Sequence, residues 1–243
     1  MNYRNTLYDK YFSNQAGRHA ENLSTLLGHE MLQLEADVAP FLPENPTARI
    51  LDIGCGYGNL LFFLQKKGYQ QTEGIDLSPE QIEKAQQLGL QNVFCINVFD
   101  FLAQPRPPYQ CIVALDVIEH LSKEELQQLL ATINRVLLPG GSVLFRTPNM
   151  DAPLTSVYAY GDFTHETLLN SHSAIQIMQS AGFEQIEVQP SAMIVQGRIK
   201  KIAQKVLYAG VSLAVKLLLL ATARSAKGVL LSPNMLIKAV KKA

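Results

Sequence analysis

The chain has 243 residues, is 47% hydrophobic and carries no formal net charge, so it can bury the core of one α/β domain with some additions. The neutrality joins two unlike parts: ten basic and no acidic residues follow Glu187, whereas residues 1–187 hold eleven basic and 21 acidic ones. That balance excludes a chain that is basic throughout, and no nucleic-acid partner is expected.

Residues 1–17 are polar and aromatic (Tyr3, Tyr8, Tyr11, Phe12) rather than basic and then apolar. No secretion signal is expected there, and the location is read as cytoplasmic. The three cysteines, Cys55, Cys95 and Cys111, lack metal-ligand spacing and are read as buried thiols in a reducing compartment. No metal is expected.

Residues 20–41 read as an amphipathic helix with Leu23, Leu26, Leu27, Met31, Leu34 and Val38 on one face, stopped by Pro40, Pro43 and Pro46. Residues 1–46 are thus an N-terminal helical extension or lid. Strands and helices then alternate. The strands are expected at 50–53, 73–76, 93–97, 111–115, 142–146 and 185–188, and the helices at 60–67, 79–88, 123–137 and 173–181. Such alternation predicts a parallel sheet covered on both faces. Pro139, Gly140 and Gly141 mark a helix stop followed directly by a strand.

The densest signal is the stretch Ile50, Leu51, Asp52, Ile53, Gly54, Cys55, Gly56, Tyr57, Gly58. A short apolar run suits a buried parallel strand, and three glycines allow a tight turn into the helix that Leu60, Leu61 and Leu64 continue. The dinucleotide fingerprint requires G-x-G-x-x-G, and here the third glycine comes one residue early. Asp52 in front of the turn suits a cation or a hydroxylated ligand better than a pyrophosphate.

Further polar groups close later strands on the same edge. Asp76 ends the second strand, where a carboxylate accepts from adjacent ribose hydroxyls; the alternative, a helix cap, is better filled by Ser78 before Pro79. Asn97 ends the third strand, where an amide can read a purine edge. Asp116 ends the fourth, followed by Glu119, expected in a solvated loop, and His120, for which such a loop is an equal reading.

These blocks in this order resemble class I S-adenosyl-L-methionine-dependent methyltransferases over about residues 47–190. The D-x-G-x-G-x-G of Asp52 to Gly58 is similar to their first motif, and Leu138 to Gly141 to the turn before their fifth strand. The resemblance implies a Rossmann-like α/β fold with a seven-stranded, mostly parallel sheet, an antiparallel last strand and helices on both faces. It implies S-adenosyl-L-methionine as cofactor, held by Asp52, Gly54, Gly56, Asp76, Leu77, Asn97, Val98 and Asp116. Asp76 would hold the ribose, while Leu77 and Val98 would lie beside the adenine. The family often has aspartate where Asn97 stands, but the Asn97 oxygen can accept from the adenine amino group.

On the acceptor side, the polar, aromatic loop from Tyr158 through Tyr160, Asp162, Phe163 and Thr164 to His165 follows the fifth strand. It is similar to methyltransferases of bacterial cell-surface polysaccharide biosynthesis. His165 is the expected general base, with His120 second, because imidazole titrates near working pH. The expected acceptor is a hydroxyl of a sugar or lipid-linked glycan intermediate. The alternatives are a soluble phenol or quinone-like metabolite, and a donor-binding protein without catalysis.

Residues 191–228 read as an inserted basic amphipathic segment, with 47–190 and 229–243 forming the methyltransferase domain. Lys201, Lys205, Tyr208, Ser212 and Lys216 repeat at three- or four-residue steps, and Ile202, Val206, Leu213, Leu217 and Leu220 occupy the rest. Residues 198–227 are expected to lie in an anionic membrane surface rather than cross it. Covering the domain and forming a homodimer contact stay open beside that reading. Residues 234–240 are expected to return as the antiparallel seventh strand.

Overall fold

A computed structural model describes residues 23–243, with side chains from Gly28 onward. The expectation for residues 1–17 and the first part of the 20–41 helix lies outside the described residues. Helix α1 (Leu23–Asp37) leads through a 3-10 turn (Ala39–Phe41) into β1 (Arg49–Ile53). There follow α2 (Asn59–Lys66), β2 (Gln71–Asp76), α3 (Pro79–Gln87), β3 (Val93–Cys95), α4 (Val98–Ala103) and β4 (Tyr109–Leu115). A 3-10 turn (Ile118–His120) then precedes α5 (Lys123–Val136), β5 (Leu137–Pro148), α6 (Thr155–Ala159) and α7 (Ser171–Ser180). The chain closes with β6 (Phe183–Pro190), α8 (Arg198–Ala221) and β7 (Asn234–Lys241).

All seven strands form one sheet in the order β3-β2-β1-β4-β5-β7-β6. β1 to β5 run parallel, and β7 lies antiparallel between β5 and β6. The period of two along each strand divides the core between the faces. On one face Leu51, Ile53, Ile112 and Phe145 pack with Leu126, Leu129 and Ile133 of α5 and Met178 of α7. On the other, Ile50, Val113, Leu144 and Leu236 pack with Leu34 and Val38 of the α1 region and Leu60, Phe63 and Leu64 of α2. Burial on both sides is what a near-continuous apolar strand requires.

The alternating pattern places these elements within a few residues, with instructive exceptions. The third strand ends at Cys95 rather than residue 97, because Asn97 caps α4 by accepting from the Phe99 N–H at 2.8 Å. Helices α4 and α6 are too short to show a helical period and were not anticipated. β5 begins at Leu137, earlier than expected, and Gly141 belongs to it; a Cβ there would stand 2.8 Å from the Leu138 carbonyl oxygen. Cys55 and Cys111 are buried as expected, but Cys95 is exposed on the edge strand β3.

Helix α8 departs most from a soluble surface. None of its side chains is buried, although its length and composition would let it cross a membrane. Gln204, Tyr208, Ser212, Val215 and Leu219 form its half-buried stripe. Ile199, Ile202, Val206, Leu213, Leu217 and Leu220 lie on the opposite face and are all exposed, from 56% at Leu217 to 84% at Ile199. Part of the polar stripe, Tyr208 and Ser212, is therefore on the sheltered side, and the apolar face looks away from it.

Candidate active site

The site lies at the carboxyl ends of β1, β2 and β4, where the parallel strands stop and their connections diverge. After β1, Gly54 and Cys55 both donate backbone N–H groups to the Ile75 carbonyl, at 2.8 and 2.9 Å, tying the turn to β2. Gly54 has φ +71° and a Cβ there would stand 2.3 Å from Val117 Cγ2; Gly58 has φ +90° and a Cβ would stand 2.1 Å from Leu90 Cδ1. Left-handed backbone and close approach together explain glycine at both positions.

Asp76 braces the same turn. Its carboxylate accepts from the Gly56 N–H at 2.9 Å and from the Ser78 N–H at 2.8 Å. Burial pushes its pKa up, against the lowering effect of hydrogen bonds from the Ser78, Gly56 and Leu77 backbone. Three backbone donors leave one of the carboxylate's four lone-pair sites for a ligand hydroxyl. Ser78 is the cap of α3, accepting from Gln81 N–H at 3.4 Å.

Asp52 is the less satisfied carboxylate. It is 3% exposed, and none of the described residues donates a hydrogen bond to it. Burial first, then the charge of Asp76, raises its pKa well above the ordinary carboxylate value. It lines a cavity of about 450 Å³ together with Glu30, Gln33, Gly54, Asn59 and Arg146. A buried carboxylate with no donor at the wall of a polar cavity fits a cationic ligand group such as an ammonium.

Of the cavity residues, Glu30 carried no signal in the sequence, whereas Arg146 opens the polar segment that follows the fifth strand. Glu30 of α1 accepts from the Tyr57 hydroxyl at 2.8 and 2.9 Å and from the Asn59 amide, which docks α1 on the glycine turn. Arg146 of β5 grips Asp116 through Nε, at 3.0 and 3.1 Å, and through Nη2. Its Nη1 stands 3.9 Å from the buried Asp37. Burial lowers the Arg146 pKa, but Asp116, Asp37 and Glu119 outweigh it and the net shift is upward. The signal for Arg146 was its place at the carboxyl end of β5; Glu30 had none, since its partners come from a distant turn.

Leu77 and Val98 flank the β2 and β3 ends, Leu77 exposed and Val98 half-buried. Asp116 has φ +56°, an uncommon conformation for a residue other than glycine, and sits in a turn fixed by its N–H donating to the Arg146 carbonyl at 2.9 Å.

A second group of residues gathers beside this turn. The segment after α6 is drawn onto it by the Glu166 and Thr167 N–H groups, which donate to the Glu119 carbonyl at 2.8 and 3.0 Å. His165 thereby meets His120 edge to face, with ring centroids 4.6 Å apart. Glu119, expected in a solvated loop, is instead 1% exposed and accepts from the Thr147 hydroxyl at 3.1 Å. Burial and the nearby Asp116 charge push its pKa up to about 8. The His120 pKa is lowered to about 4, by burial first and then by His165. Tyr158, Tyr160 and Phe163 of the same segment are largely exposed.

The fold and this edge define a class I S-adenosyl-L-methionine-dependent methyltransferase domain: a glycine turn, an acidic residue at the end of β2, and an antiparallel β7 inserted between β5 and β6. A family model described as a methyltransferase domain matches residues 26–188, and the chain belongs to that family. It is 28% identical over 153 residues to a ubiquinone biosynthesis O-methyltransferase of Xylella fastidiosa (strain M23), covering 61% of each chain. It is 31% identical over 134 residues to the ajmaline N-methyltransferase of Rauvolfia serpentina, covering 53% of this chain and 44% of that one. The chain thus spans about half the length of the curated relatives it matches. Among solved structures, an S-adenosylmethionine-dependent methyltransferase of Archaeoglobus fulgidus superposes with a TM-score of 0.66 at 18% identity, over 95% of this chain and all of that one. A Haemonchus contortus phosphoethanolamine N-methyltransferase 2 solved with S-adenosyl-L-methionine superposes with a TM-score of 0.58 at 21% identity, over 87% of this chain and 52% of that one.

Proposed function

We propose that this chain transfers a methyl group from S-adenosyl-L-methionine to a hydroxyl of a membrane-held, lipid-linked glycan intermediate. On the donor side the reading rests on the unmatched Asp52 carboxylate, which suits the donor's ammonium, and on the Asp76 carboxylate at the end of β2, which suits the ribose diol. Gly54 and Gly56 let the backbone approach the donor, and Leu77 and Val98 supply apolar contact for the adenine. The Asn97 oxygen, already accepting from Phe99 N–H, has one lone pair left for the adenine amino group. Asp116 keeps Arg146 at the cavity wall. When bound, the donor supplies a methyl on a sulfonium, an electrophile that needs no further activation.

The chain's remaining task is to hold the acceptor oxygen in line and remove its proton. His165 Nδ1 lies 2.7 Å from the Ala159 carbonyl, which can only accept, so the ring proton sits on Nδ1 and Nε2 keeps the lone pair. His165 is the base in this reading. His120 stays neutral at working pH and packs the ring in place.

The observation that carries the acceptor is α8, whose exposed apolar face is bordered by Arg198, Lys200, Lys205 and Lys216. An anionic lipid surface offers both apolar burial and charge attraction. The test incubates the chain with labelled donor and membranes carrying lipid-linked glycan intermediates. Label in the glycan fraction supports the reading; label only in added phenols removes it. The second reading, a phenol or quinone-like acceptor, is favoured by the relatives named for ubiquinone biosynthesis.

A further inference from the structure

We propose that Glu119, His120 and His165 form a binding site for one divalent transition-metal cation, set to receive the acceptor hydroxyl; this deepens the O-methyl reading and rests on it for its role. One donor atom of each residue lies within 4.8 Å of the others. The residue types are a carboxylate and two imidazoles, a set that suits zinc or iron better than magnesium or calcium. Ligands about 2.0–2.2 Å from a tetrahedral cation stand roughly 3.4 Å apart. Side-chain rotations that bring the donors up to about 1.4 Å closer therefore complete the site.

The stronger argument is how the two rings are held. His165 Nδ1 faces the Ala159 carbonyl at 2.7 Å, so it carries the proton and Nε2 carries a lone pair. His120 Nδ1 lies 2.8 Å from Thr164 Oγ1. That hydroxyl donates its own proton to Asp162 Oδ1 at 2.6 Å, so its oxygen accepts from His120 Nδ1. The His165 ring is thus fixed in the tautomer that points a lone pair from Nε2, and His120 is oriented through a hydroxyl–carboxylate relay. Outer hydrogen bonds of this kind orient metal-binding histidines. Glu119 adds a carboxylate that is 1% exposed and accepts from Thr147, so it is held from behind.

With a cation in place His165 acts as ligand rather than base. An acceptor hydroxyl that binds the cation loses its proton to a solvent water. The O–H bond breaks, and its electron pair stays on the oxygen that attacks the methyl group. The ligands come from two loops far apart in the chain, which is why cysteine and histidine spacing held no sign of them.

The test needs no acceptor. Tag-free chain is stripped with a chelator, then titrated with Zn²⁺ and separately with Mg²⁺ by calorimetry. One equivalent of Zn²⁺ is expected, bound at least tenfold tighter than Mg²⁺. Glu119→Gln, His120→Gln and His165→Gln should each weaken Zn²⁺ at least tenfold, and Thr164→Val about tenfold. Donor affinity of each variant reports folding. His172→Gln, on the exposed face of α7, should bind like wild type. Visible absorption of Co²⁺ bound to the wild-type chain provides a reading without mutation, and bands of nitrogen and oxygen ligation are expected. No stoichiometric Zn²⁺ binding, or binding that the three glutamine variants leave unchanged, overturns the site. Full turnover of the stripped chain overturns the cation's role while leaving methyl transfer with His165 as base intact.

Discussion

The cleft under the glycine turn and the apolar face of α8 treat solvent in opposite ways. In the cleft, the turn is pinned by backbone donors to Ile75 and by Asp76 Oδ2 accepting from Gly56 N–H, and Asp52 is 3% exposed with no donor among the described residues. On α8, nine large aliphatic side chains are offered to the exterior and none is buried. The first arrangement destabilises the unliganded protein locally and is relieved by a small ligand of opposite charge. The second leaves apolar area uncovered that a lipid surface would bury, at about 25 cal/mol per Å². The two regions mark the small, polar partner and the large, apolar one.

Four measurements break or sharpen that comparison, beginning with the largest effect. His165→Ala should lower turnover by about 10²–10⁴ with donor affinity unchanged, whether the ring acts as base or as ligand. Equal loss of donor affinity would place the histidine in the wrong half. Asp76→Ala should weaken donor binding about tenfold to a hundredfold, since a charged acceptor for a buried diol contributes about 1.5–3 kcal/mol. Calorimetry giving equal affinities would leave Asp76 as a brace for Gly56 only. Lys205→Glu and Lys216→Glu should each reduce partition onto anionic vesicles about fivefold or more at low salt, from about 1 kcal/mol per basic group. High salt should erase that difference while apolar binding persists. No sedimentation with vesicles under any salt, together with a stable dimer in solution, would assign the apolar face to a second chain.

The smallest effect is one of sign. Asp52 has a folded-state pKa raised by burial above its unfolded value. The folded state then holds its proton more tightly than the unfolded state, so stability is fully present below about pH 4 and is lost as pH rises toward the folded pKa. Asp52→Asn removes that loss. The variant should melt a few degrees above wild type near pH 7, at about 2–4 °C per kcal/mol, and the gap should close toward pH 4. A variant less stable than wild type at neutral pH would show that the carboxylate has a partner in the free protein.

The sheet was legible because β1, β2, β4 and β5 are apolar runs with helical segments between them, and the glycine turn because its residues have no substitutes at those torsions. Asp52 and Asp76 could be placed for the same reason: each closes a strand whose end is fixed. Glu30 and the burial of Glu119 could not be read, since each depends on a partner from a distant segment. Nor could Asn97 be seen as a helix cap, because α4 spans only Val98–Ala103 and shows no period. For α8 the stripe was visible in the spacing, but which side faced outward was not.

The place of β7 has a consequence for synthesis. It follows the other six strands in the chain, yet it sits inside the sheet between β5 and β6, pairing Ser142 with Val240 and Phe183 with Lys241. Until it arrives, β5 presents an open edge and β6 has no neighbour. Helix α8 precedes β7 in the chain, so it leaves the ribosome while the domain is still incomplete. Pairing between such distant segments is slow, and exposed edges in that interval invite aggregation. A nascent chain whose α8 settles on a membrane during that delay would be held apart from its copies until the sheet closes.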